Sequence, residues 1–192
     1  MVVFDDDDPT LKECLEILPP TWSRFVMNPD VPTARKINYA VSLYPNEKFY
    51  GLLANDIELI TDNALTLLAI KCPPFGLSYP DDTIQGAGLA THPCVSGELV
   101  RALGWWAYPQ AKHTCIDLYL TNTAYDAGGC HYLPEVKFLH KHYSANRSIY
   151  DEVYQRGDDY KDADRKAAEV WKAGGAAEAL ERVKGAMQTC PQ

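Results

Sequence analysis

The sequence contains no Cys-x-x-Cys pair, no cluster of basic residues and no long apolar run free of charge. Each absence removes a class of protein. Paired cysteine knuckles are how structural zinc sites usually declare themselves, and none is present. A net charge of −8 with no basic stripe argues against nucleic acid or an anionic membrane surface as partner, because both require clustered Lys and Arg. The most apolar segment, residues 49–70, carries Asp56, Glu58, Asp62 and Asn63. A bilayer core tolerates such side chains only at heavy cost, so no membrane span is expected. At the start, Met1-Val2-Val3-Phe4 passes directly into Asp5-Asp6-Asp7-Asp8, with neither a basic n-region nor an apolar h-region. The expectation is an intracellular protein, cytoplasmic or organellar without a cleavable signal, and the mitochondrial intermembrane space also fits. On that reading the sequon Asn146-Arg147-Ser148 is silent.

What is present is an ordinary globular composition. The hydrophobic fraction of 46 % and the charged fraction of 23 % over 192 residues suit one hydrophobic core. Periodicity predicts mostly helix. Asp8-Pro9 reads as a helix start, with Leu11, Cys14, Leu15 and Leu18 on one apolar stripe that Pro19-Pro20 ends. A short helix follows Thr33. The longest pattern runs over 47–72, where Phe49, Leu52, Leu53, Ile57, Ile60, Ala64, Leu67 and Leu68 share a face. Ser96 caps a further helix to about residue 106. Alternation over 115–120 suggests a short strand, and residues 134–157 read as helix again. From residue 158 two polar helices joined by Gly174-Gly175 form a helical hairpin. The predicted fold is therefore mainly α. An irregular helical core spans 1–157 with a loop-rich centre at 85–133, and the hairpin of 158–192 packs on that core or on a partner.

Chemistry concentrates between residues 92 and 142. All five histidines lie there, with three cysteines, in the couplets His92-Pro93-Cys94, His113-Thr114-Cys115 and Cys130-His131. Three functional readings stay open. Imidazole and thiolate suit Zn²⁺, which makes His92, Cys94, His113, Cys115, Cys130 and His131 a candidate ligand set. Cys94 ahead of a helix start, with His113 as base and Asp117 as its orienter, has the parts of a small Cys/His-dependent hydrolase. Cys94–Cys115 or Cys115–Cys130 could instead be a disulfide in an oxidising compartment. Against all three stands the plain reading of buried thiols and hydrogen-bonded histidines. His140-Lys141-His142 is expected to span a helix surface.

No complete catalytic motif emerges. The leading expectation is a non-catalytic subunit or accessory protein of a larger assembly, without cofactor. It would meet other protein subunits through the aromatic anchors Trp22, Trp105, Trp106 and Trp171. The alternative is a small hydrolase or metal-binding enzyme built on residues 92–131.

Overall fold

The computed structural model describes residues 1–189. Cys190, and with it the end of the predicted hairpin, lies outside the described residues. Helix makes up 46 % of the chain and strand 17 %, arranged as an α/β fold. The expectation of a mainly α domain is thereby corrected.

The first unit is β1 (Val2–Asp5), α1 (Leu11–Ile17) and β2 (Arg24–Met27), with the two strands paired in parallel. Asp8 starts the turn into α1 by accepting from the backbone N–H and hydroxyl of Thr10. No residue of α1 is buried, so Cys14 sits half-exposed rather than in a core. The chain continues through α2 (Thr33–Ser42).

The predicted long helix of 47–72 is instead β3 (Phe49–Gly51), β4 (Ile57–Leu59) and α3 (Ala64–Lys71). Its apolar residues satisfied a helical template, but the partners that make them strands lie far away in sequence. Phe49 pairs with Ser96, and Ile57 with His140. Asn63, at φ 56°, supplies the left-handed residue from which α3 starts.

Then come β5 (Leu77–Asp81), β6 (Cys94–Ser96), α4 (Gly97–Leu103), α5 (Ile116–Asp126) and β7 (Cys130–His140). The five strands form one sheet in the order β3-β6-β5-β7-β4. Strands β5 and β7 run parallel, and the other pairs are antiparallel. Two further expectations fall here. Residues 115–120 are the start of α5 rather than a strand, because Cys115 at φ 60° turns the chain directly into a helix whose inner face is Ile116, Tyr119, Leu120 and Thr123. Residues 134–140 are strand rather than helix. Pro134 is tolerated there because the ladder to β5 breaks beside it: Leu133 faces Pro80, and the next paired residue is Lys137 opposite Asp81.

Strand alternation divides the core between the two sheet faces. Leu68 of α3 packs with Cys94, Leu133, Val136 and Phe138 on one side. Leu77, Tyr79 and Val95 pack with α4 and α5 on the other. The chain ends in α6 (Glu152–Asp159), α7 (Lys161–Val170) and α8 (Ala176–Thr189). Gly174 has a non-helical backbone (φ 175°, ψ −23°), so the chain kinks there between α7 and α8, at the expected Gly174-Gly175 junction. Ala167, Trp171, Ala179 and Val183 all belong to the main core.

Trp171 is the centre of an aromatic group, with ring centroids 5.0 Å from Tyr108, 5.1 Å from Tyr119 and 6.2 Å from Trp105. Three of the four expected anchors, Trp105, Trp106 and Trp171, are thus buried within the chain, while Trp22 is 49 % exposed. Trp171→Ala is accordingly expected to lower the stability of the isolated chain by about 3–5 kcal/mol, measured by urea unfolding. A loss under 1 kcal/mol would show that the ring is not packed as described.

Candidate metal centre

Strand direction alone gathers the site. The C-terminal ends of the parallel strands β5 and β7 lie at one edge of the sheet, and they lead to Asp82 and to His140. Strands β6 and β4 run the opposite way, so the residues leading into them, His92 and Asp56, arrive at that same edge. Two backbone bonds fasten the corner: His140 N–H donates to the Asp82 carbonyl at 3.3 Å, and Lys141 N–H to the Asp56 carbonyl at 2.8 Å.

Asp82 is 1 % exposed. Its Oδ1 accepts the backbone N–H groups of Ile84, Gln85 and Gly86 at 3.0, 2.7 and 3.3 Å. Its Oδ2 accepts the Thr91 hydroxyl at 2.9 Å and His140 Nδ1 at 3.3 Å. The loop it holds includes Thr83 in the left-handed region at φ 63°, a conformation an L-residue adopts only when its surroundings impose it. On the other side of the imidazole, His140 Nε2 lies 3.3 Å from Asp56 Oδ2, which also accepts the Tyr154 hydroxyl at 3.1 Å. Asp56 Oδ1 is buried and has no hydrogen-bond partner.

Hydrogen-bond logic fixes the tautomer of His92. The Thr91 hydroxyl donates its one proton to Asp82, so its oxygen must accept from His92 Nδ1, 3.0 Å away. His92 therefore carries its proton on Nδ1 and presents a bare Nε2. A carboxylate behind a ligating imidazole, here acting through a hydroxyl, is how metal-binding histidines are commonly oriented.

The charges follow from these contacts. Burial and the nearby charge of His140 push His92 down to about 4, so it is neutral at physiological pH. Burial opposes the charge on His140 as well, but hydrogen bonds to Asp56 and Asp82 outweigh it and raise its pKa to about 9. Burial likewise works against ionised Asp82 and Asp56. The hydrogen bond from His140 in both, backbone N–H groups at Asp82, and the charge of His140 and the Tyr154 hydroxyl at Asp56 overcome it and hold both carboxyls below the usual range. In the ion-free protein, protonated His140 is the cation between buried Asp82 and half-buried Asp56.

Ligand atoms of Asp82, His92 and His140 all lie within 4.8 Å of one another. One carboxylate and two imidazoles suit Mn²⁺, Fe²⁺ or Zn²⁺, leaving positions open for other ligands. The unpaired Oδ1 of Asp56, a buried anionic oxygen with no donor, fits a site that takes a cation. No family model matches this chain, and no curated protein or solved structure does either. The reading of this edge rests on its own geometry.

Asp117 lies in the first turn of α5, near enough for the charges of Asp82 and His140 to act on it. Burial raises its pKa to about 6, overcoming the backbone N–H groups at the helix start.

Of the residues singled out in the sequence, His92 belongs to this centre and Asp117 lies within reach of its charges. Cys94 lies in β6, where its backbone carbonyl accepts the Cys72 thiol at 3.3 Å. His113 is engaged with Thr33, its Nδ1 2.7 Å from that hydroxyl. Cys115 immediately precedes α5 as its left-handed N-cap residue. Cys130 starts β7, where burial pushes its thiol up to about 11. His131 follows it, its Nδ1 3.1 Å from the Lys71 carbonyl. Cys14, Cys72, Cys94, Cys115 and Cys130 are all free, so neither proposed disulfide is formed. Asp56, Asp82 and His140 escaped the sequence reading. The signal for Asp82 was available in Leu77-Ser78-Tyr79-Pro80-Asp81-Asp82, a strand that ends in paired carboxylates. His140 stands in His140-Lys141-His142, whose local pattern predicts a helix surface, whereas it ends strand β7.

Proposed function

We propose that the chain is a divalent-metal-dependent enzyme that transfers a group from a phosphate-bearing donor to an acceptor hydroxyl. The observation that carries this reading is the convergence of Asp82, the bare Nε2 of His92 and His140 within 4.8 Å, backed by Asp56 and with Asp117 within reach of its charges. With two carboxylates close by and no thiolate, Mn²⁺ is the favoured ion. The Zn²⁺ considered from the sequence shares the imidazole and carboxylate donors but usually gains thiolates in structural sites. Such an ion, when bound, neutralises the charge that builds on a departing phosphate. Hard ions held by few protein groups commonly complete their shell with phosphate oxygens. The site lies outside the carboxyl ends of the parallel pair β5 and β7, and in α/β sheets that end of parallel strands is where ligands, nucleotides among them, commonly enter. A nucleotide-type diphosphate donor is the class that combines both features.

Each residue has a distinct task. Asp82, His92 and deprotonated His140 would hold the ion, with the Thr91 hydroxyl keeping the His92 tautomer in place and Asp56 beside the His140 ring. Asp117, ionised above about 6, accepts the proton from the acceptor hydroxyl. A base with a pKa just below neutrality is well matched to that step. The assembly-subunit reading draws on aromatic anchors, of which Trp22 alone remains outside the core. The metal centre is the stronger ground.

The test is release of diphosphate from a panel of nucleotide-activated donors by purified protein, with and without Mn²⁺. Turnover is expected only with the ion. It should fall as pH drops through about 6, because protonated Asp117 cannot act as base. Asp117→Asn should lower the rate by about 10²–10⁴-fold and remove that acidic limb. Failure of Mn²⁺, Fe²⁺ and Zn²⁺ alike to bind at millimolar concentration would sink the proposal.

A further inference from the structure

His142 lies one residue beyond the Lys141 backbone that closes the metal corner, and it has no part in the functions assigned above. Its ring centroid is 5.2 Å from that of His140 and 5.0 Å from that of Tyr154. Tyr143 packs against it with ring centroids 4.5 Å apart and planes tilted by 36°. Its Nδ1 accepts the backbone N–H of Ser144 at 3.2 Å and lies 2.8 Å from the Ser144 hydroxyl. A backbone N–H only donates, so Nδ1 must be unprotonated, and the neutral ring carries its proton on Nε2. Among the described residues nothing in the protein accepts that proton, and Nε2 is not one of the buried, unpartnered atoms, so solvent reaches it. The groups facing the ring are His140, Tyr143, Tyr154 and Ser144, with Asp56 beyond. The two neighbouring histidines are therefore prepared oppositely. His92 offers a lone pair at Nε2, while His142 offers a hydrogen.

We propose that His142 Nε2–H is a substrate-binding group that donates to an anionic phosphate oxygen of the donor held at the adjacent metal centre. The inference rests on the reading of Asp82, His92 and His140 as that centre, and it assigns to the phosphate subsite a residue outside the ligand set. Two carboxylates near the corner make it electrostatically unwelcoming to a diphosphate apart from the ion itself. A donor that carries no negative charge and is locked in one tautomer holds an oxygen there without competing for the metal. Tyr143 and Tyr154, packed against the ring, fix its plane, so little side-chain freedom is lost on binding.

The test uses the full chain loaded with Mn²⁺ and titrated calorimetrically with inorganic pyrophosphate. For His142→Phe, which keeps the aromatic packing but removes the donor, Mn²⁺ affinity should stay within about twofold while pyrophosphate binding weakens by about tenfold or more. His142→Gln, which restores an N–H, should recover most of that loss. Long-range ¹H–¹⁵N correlation on the wild-type protein should show His142 protonated at Nε2 and not at Nδ1. Unchanged pyrophosphate affinity in the Phe variant overturns the proposal and leaves the metal centre standing, as does an Nδ1-protonated tautomer. Wild-type protein that binds no Mn²⁺ overturns both.

Discussion

Asp82→Ala is expected to destabilise the metal-free protein by about 3–5 kcal/mol, one of the two largest effects anticipated here. The side chain is 1 % exposed, and five donors depend on it. Removing it leaves three backbone N–H groups of the 84–86 turn without their acceptor and strands protonated His140 with one carboxylate instead of two. Asp82→Asn keeps an acceptor for the turn and should cost less than half as much, although it too loses the anionic ligand. Urea unfolding in the presence of a chelator separates the two variants. An Ala variant within 1 kcal/mol of wild type would mean that the loop does not hang on this carboxylate.

The second large effect concerns the ion. His140→Gln and His92→Ala are each expected to weaken Mn²⁺ binding by about a hundredfold or more, since loss even of an outer-shell partner commonly costs 10–100-fold. His92 is 5 % exposed and His140 bridges Asp56 and Asp82, so each variant should also lose stability, and binding is compared only on protein shown to be folded by circular dichroism. Affinity in the wild-type protein should also rise with pH. Protonated His140 must give up a proton to ligate, and its pKa of about 9 means that binding at pH 7 releases that proton. The cost disappears only as pH climbs through about 9. His92, already neutral, adds no such dependence above about 4. Equilibrium dialysis across pH 6–9 reads the slope directly, and a flat profile would remove His140 from the ligand set.

Much of the helical framework was legible in the sequence. Ser96 does cap α4, accepting the Leu99 N–H, and the polar pair after residue 158 is helical on both sides of Gly174-Gly175. The sheet was not. Each of β3, β4 and β6 has only three residues, too few for alternation to show, and the β3–β6 and β4–β7 pairs join residues forty or more apart. Strand β7 contains a proline and a break in its ladder, both of which suggest something other than strand when read locally. The site followed the same rule. His92 drew notice because it stood in a couplet, but a couplet is local and this centre is not. Asp56, Asp82 and His140 become neighbours only through strand direction, a property of pairing that no short window contains. The five described cysteines are free.

The parallel pairing of β5 with β7 also orders events in time. The residues of the centre run from Asp56 to His140 along the chain, and the imidazole that sits between the two carboxylates arrives last. An emerging polypeptide can make the loop of Asp82 with its own turn and with Thr91 early, from contacts fewer than ten residues apart. The grip on an ion has to wait for a pairing of high contact order, which is slow to form. Cation capture would then report completion of the sheet. Because the unfolded chain cannot hold the ion in this geometry, its concentration would set how long the finished edge stays shut.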